Sequence, residues 1–80
     1  TVEIEPDARI EHGVVLRGKT RIARGARIDV GSVLEDVNVA RGAYIKPYTV
    51  CLQSSVGEDA QVGPFAHLRP DTELGEQRRL

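Results

Sequence analysis

The aliphatic residues of this chain recur every six positions. Ile4, Ile10, Leu16, Ile22, Ile28 and Leu34 open the series. A five-residue step leads to Val39, Ile45 and Cys51, and a second to Val56, Val62, Leu68, Leu74 and Leu80. Two residues before each stands a small or β-branched side chain: Val2, Ala8, Val14, Thr20, Ala26, Ser32, Val37, Ala43, Thr49, Ser54, Ala60, Ala66 and Thr72. Three residues after many of them comes Gly or Asp, at Asp7, Gly13, Gly25, Gly31, Gly42, Asp59 and Asp71. Gly and Asp at a fixed offset mark turns, because both tolerate positive φ. Each hexad therefore predicts a strand of two to four residues with alternate side chains turned inward, followed by a corner.

A helix does not fit, since a six-residue period scatters side chains around a 3.6-residue helix instead of forming one stripe. Strands this short do not sustain antiparallel hairpins. The pattern predicts a coiled parallel solenoid, with three hexads per triangular turn and each rung hydrogen-bonded to the next. Fourteen hexads make about 4.5 coils, roughly 20 Å tall at the ~4.8 Å strand spacing. The two short steps end at Val39 and Val56, 17 residues apart. That is one 18-residue turn less one residue, so both fall on the same corner of successive turns and the stack keeps its register. Three faces follow. Ile4, Ile22, Val39, Val56 and Leu74 line the first; Ile10, Ile28, Ile45, Val62 and Leu80 the second; Leu16, Leu34, Cys51 and Leu68 the third. Tyr48 and Phe65 hold equivalent corners, in Lys46-Pro47-Tyr48 and Gly63-Pro64-Phe65, and are expected to stack.

Composition sharpens this picture. Eighty residues with three aromatics, no Trp and no Met cannot build an ordinary globular core. A column of Ile, Leu and Val flanked by Ala, Ser and Thr needs no large rings. Eleven basic against twelve acidic residues leave a net charge of -1, which opposes a nucleic-acid footprint. Apolar runs of two or three residues exclude a transmembrane helix or a signal-peptide core. A lone cysteine forms no internal disulfide and reads as cytoplasmic.

The registers resemble the hexapeptide-repeat acyltransferases, whose fold is an all-β, single-stranded left-handed parallel β-helix; the hand is implied by the resemblance alone. Val62-Gly63-Pro64-Phe65-Ala66-His67-Leu68-Arg69-Pro70 is similar to the "IGPFARLRP" stretch of one branch, the bifunctional N-acetylglucosamine-1-phosphate uridyltransferase / glucosamine-1-phosphate acetyltransferases. Lys46-Pro47-Tyr48-Thr49-Val50 is similar to that family's "SPYTV" turn one coil earlier. The resemblance covers the whole chain but only the first part of the acetyltransferase domain. It implies that residues 1–80 are a single β-helix segment cut at the C-terminal end. It also implies a homotrimeric, cytoplasmic parent that acetylates glucosamine-1-phosphate with acetyl-CoA. That parent transfers UMP, with Mg, in a preceding domain, to make UDP-N-acetylglucosamine for peptidoglycan precursors. Arg69 takes the family's sugar-phosphate-binding role. His67 stands where the family has Arg. The catalytic histidine, the "GNFVE-KK" lysines and the acetyl-CoA contacts are expected in later coils or neighbouring subunits, so the piece alone is expected to be inactive and to bind no cofactor.

The residues themselves offer little catalytic machinery. His12 and His67 lie several rungs apart and cannot share a zinc, so no metal site is expected. Neither has a partner for acid–base work. Cys51 falls in the aliphatic column and reads as a small buried thiol. Arg24, Arg27, Arg41 and Lys46 read as a solvated coat. Thr20, Thr49 and Thr72 occupy the inward register, which disfavours an ice-binding ladder. Arg78 stands in a register position that is otherwise small, so the last hexad is expected to be frayed or foreign to the native continuation. Two alternatives stand beside the acetyltransferase reading: a non-catalytic structural or oligomerisation module, and a piece of another hexapeptide acyltransferase.

Overall fold

The structure is a computed structural model and describes residues 1–80. Its strands are two or three residues long because a left-handed residue interrupts the chain at almost every corner. Asp7, Gly13, Gly25, Gly31, Gly42, Asp59 and Asp71 all have φ between 58° and 75°. Tyr48 (58°) and Phe65 (59°) adopt the same conformation in the equivalent corners. Thirteen strands result, and they form three parallel sheets.

The first sheet runs β1 (Glu3–Ile4), β4 (Arg21–Ile22), β7 (Asn38–Val39), β10 (Ser55–Val56) and β13 (Glu73–Leu74). The second runs β2 (Arg9–Ile10), β5 (Arg27–Ile28), β8 (Tyr44–Ile45) and β11 (Gln61–Val62). The third runs β3 (Val15–Arg17), β6 (Val33–Glu35), β9 (Val50–Leu52) and β12 (His67–Leu68). Every paired strand lies one turn from its neighbour, and the registers pair the aliphatics column by column, as in Ile4↔Ile22↔Val39 and Leu16↔Leu34↔Cys51. The offset falls from 18 to 17 across the two short steps, and pairing continues without a bulge. Amides of one coil donate to carbonyls of the next, for example Glu3 to Thr20, Arg21 to Val37 and Ser55 to Thr72, each at 2.9 Å. The body measures 24 × 20 × 19 Å, in line with the expected height.

The interior is the predicted column. Ile22, Ile28, Leu34, Val39, Ile45, Cys51, Val56, Val62 and Leu68 are buried, with Ala26, Val37, Ala43 and Ala60 from the small register between them. Thr20, Ser32 and Thr49 are also fully buried. They remain there because their hydroxyls are bonded: Thr20 Oγ1 donates to the Arg17 carbonyl (2.7 Å), and Ser32 Oγ (3.0 Å) and Thr49 Oγ1 (2.9 Å) both donate to the Lys46 carbonyl. Bonding is what makes a buried hydroxyl tolerable.

Two sequence expectations need amendment. Between the third and first sheets the left-handed residue comes two positions after the aliphatic, at Gly18, Asp36 and Gln53, where no turn signal was read. The first three strands of the third sheet run one residue longer, whereas β12 has two residues and its corner turns at Asp71, three after Leu68. Asp36 Oδ1 accepts the Lys19 amide at 2.8 Å, and a Cβ on Gly18 would stand about where that carboxylate lies. The last hexad is not frayed in its backbone: Gln61 bridges Arg79, the Gln61 amide donates to Arg78 (2.8 Å), and the Leu80 amide returns to Gln61 (2.9 Å). Main-chain pairing carries it, while the side chains of Arg78 and Leu80 remain exposed.

Candidate functional site

Arg69 leaves the third sheet directly after β12. Leu68 anchors that strand, 1% exposed and paired with Cys51, so the residues on either side of it face outward. Both His67 and Arg69 are exposed, and neither has an ion-pair partner. The backbone around them is held. Phe65 donates its amide to Pro47 (3.1 Å), Asp71 to Gln53 (2.8 Å) and Thr72 to the Arg69 carbonyl (3.2 Å). Tyr48 and Phe65 stack as expected, with ring centroids 5.6 Å apart and planes inclined by 11°. The Tyr48 ring lies over Gly31, where a Cβ would collide with it. Arg69 is therefore an exposed side chain on a fixed rung. Its guanidinium can offer paired N–H donors to a phosphate, a geometry that a lysine cannot match.

Cys51 is buried, and burial pushes its thiol up to about 12, far from a reactive thiolate. His12 lies on the first coil, about three rungs from His67 or ~14 Å along the stack, and no cluster of three or more metal-ligating side chains exists. A shallow depression on the outside of the first sheet, lined by Glu3, Arg21, Asn38 and Ala40 among others, is remote from Arg69 on the third face.

Sequence reasoning missed one polar cluster, on the second face. The Tyr44 hydroxyl donates to Asp29 Oδ2 at 2.6 Å, and the Val30 amide donates to Oδ1 at 2.7 Å. Arg27 stands 3.6 Å from Asp29, 4.0 Å from Glu11, and over the Tyr44 ring at 5.1 Å from its centroid. The Tyr44 hydrogen bond, then the Val30 amide, hold the Asp29 carboxyl below the usual carboxylate range, helped by Arg27 against the opposing effect of burial. The same bond, with burial, raises Tyr44. An acid stabilised as its anion and a phenol stabilised as neutral make a poor general base and a poor nucleophile, so the cluster is a clasp between coils. The coil pairing brings it together: Tyr44 lies 17 residues after Arg27, one coil on, with Asp29 two residues past Arg27.

No protein-family model matches the chain. The bifunctional protein GlmU of Sorangium cellulosum (strain So ce56) is 66% identical over 73 residues, 91% of this chain and 15% of that protein. The chain resembles a segment of the bifunctional GlmU proteins. GlmU of Anaeromyxobacter sp. (strain Fw109-5) is 46% identical over 79 residues, 99% of this chain and 16% of that protein. The chain thus spans 15–16% of the length of these GlmU relatives. Among solved structures, the CcmM N-terminal domain in complex with CcmN superposes with a TM-score of 0.90 at 27% identity, over 98% of this chain and 83% of that one.

Proposed function

We propose that this chain is the opening part of the acetyltransferase domain of a GlmU-type enzyme, and that Arg69 helps to hold the phosphate of glucosamine-1-phosphate. The 66% identity to a GlmU segment across this stack of coils carries the reading. The exposed Arg69 on a fixed rung supplies the chemistry. In the whole enzyme the sugar amine attacks the thioester carbonyl of acetyl-CoA, expelling the CoA thiol. A base supplied by later coils takes the amine proton, and Arg69 fixes the phosphate so that the amine meets the thioester in a productive pose. Trimer formation, a cytoplasmic setting and a Mg-dependent uridyltransferase domain belong to the same reading. Residues 1–80 carry no base placed for the amine, so purified chain with acetyl-CoA and glucosamine-1-phosphate is expected to show no acetyl transfer by thiol release. Sustained turnover that Arg69→Ala leaves untouched would overturn both the inactivity and the role of Arg69.

A second reading, an assembly module, has one observation in its favour. The outward positions of the third sheet form a valine column, Val15, Val33 and Val50, where the first sheet carries Glu3, Arg21 and Asn38. No helix of the chain is long and apolar enough to cross a membrane. Self-association through this face would be read by light scattering after gel filtration, where a monomer at all concentrations counts against it.

A further inference from the structure

Each strand presents two outward residues, one on either side of its inward aliphatic. In the second sheet these pairs balance charge, as in Arg9 with Glu11 and Arg27 with Asp29. In the third sheet they are Val15 with Arg17, Val33 with Glu35, and Val50 with Leu52. Only here are two basic groups set side by side, His67 in β12 and Arg69 just past its end, on either side of Leu68. Two residues apart on one face of a strand, they stand about 6.6 Å from each other along the backbone. That spacing lets an imidazole N–H and a guanidinium converge on one phosphate group. The strand packed against them contributes Val50 and Leu52, neither charged, and the preceding corner contributes Pro64 and Phe65. The nearest acids in sequence and stacking order are Asp71, at the following corner, and Glu35, two rungs below Arg69. Elsewhere Arg21, Arg27 and Arg41 are neutralised by Glu3, Asp29 and Glu58. Here the positive charge is uncompensated and lies against an apolar wall.

We infer that His67 and Arg69 form a two-pronged phosphate clamp whose second prong is armed by protonation of His67. The inference rests on the phosphate role of Arg69 and adds a second ligand and a pH dependence to it. A neutral imidazole offers one N–H donor, and the imidazolium adds charge and a second donor. Binding of a phosphate monoester therefore strengthens as pH falls through the imidazole range, relative to a variant without the histidine.

The test is a proton NMR titration of the two histidine Cε1–H signals between pH 5 and 8, alone and with inorganic phosphate or glucosamine-1-phosphate, with affinities measured in parallel. His12, on the first coil, is the internal control. With ligand the His67 midpoint is expected to rise while that of His12 stays fixed, and Arg69→Ala abolishes the rise. His67→Gln is expected to weaken binding about threefold at pH 6, the scale of an exposed ion pair, and not at pH 8. Comparing variants at one pH cancels the titration of the phosphate itself. A response to both ligands assigns the clamp to phosphate, and a response to the sugar phosphate alone assigns it to the whole substrate. Binding that needs Arg69 but is equal in wild type and His67→Gln at both pH values, with a still His67 midpoint, would overturn the clamp and leave the Arg69 reading standing. No binding by wild type would remove both.

Discussion

The first coil and the coils above it obey the same repeat, yet their inward residues meet different fates. Ile22, Ile28 and Leu34 are at most 1% exposed, whereas Ile4 is 50% exposed and Ile10 and Leu16 are only half-buried. The side chains are equivalent and the registers identical. What differs is that a middle coil has a neighbour on each side and the first coil has one. A hexapeptide rung cannot bury its own aliphatics; burial is conferred by the adjacent coil, the one-dimensional cooperativity of solenoids.

The same contrast runs through the polar contacts. Glu3 and Arg21 join the first coil to the second at 3.1 Å, with both side chains more than 60% exposed. Arg27, Asp29 and Tyr44 join two middle coils through a less exposed arrangement of three mutually bonded groups. The first pair is the sort that solvent and side-chain entropy nearly cancel, while the second shares one carboxylate among several donors.

Truncation of a core aliphatic should break this comparison most sharply. Leu34→Ala is expected to cost about 2–5 kcal/mol in denaturant unfolding, because the neighbouring rungs cannot close on the cavity. Ile4→Ala is expected to cost about 1 kcal/mol or less, since half of that side chain already meets water. Equal losses would show that the first coil is as tightly held as the middle. Gly31→Ala comes next. Its φ of +73° strains any Cβ, and that Cβ would strike the Tyr48 ring. A loss of about 1–3 kcal/mol is expected, with Tyr48 displaced from Phe65 and its fluorescence changed. Gly13→Ala, with the same φ but ordinary contacts above it, should lose only the conformational part. The smallest effect concerns acid. Because the Asp29 carboxyl lies below its unfolded value, its contribution is complete above the ordinary carboxylate range. It is lost as pH falls below about 4. Tyr44→Phe removes the leading cause, so its unfolding midpoint should fall relative to wild type at pH 7, and the difference should shrink as pH falls through and below the ordinary carboxylate range.

Much of the fold was legible in the residues because the solenoid period is short and local. Columns, faces, the common corner of the two short steps and the Tyr48–Phe65 stack all follow from counting, since each depends only on a constant number of residues per turn. Of the candidate site, the exposure of Arg69 was legible, since it follows from its place after an inward leucine. The left-handed corner at Gln53 was not legible, because a glutamine carries no turn signal. Nor was the Arg27–Asp29–Tyr44 clasp, whose members look like a dispersed charged coat until the coils are stacked. By itself the sequence determined the number of residues per turn, and through it which side chains point inward. Only the tertiary structure decided which inward residues are truly dry and which outward charges meet, because both depend on what the coil 17 or 18 residues away places beside them.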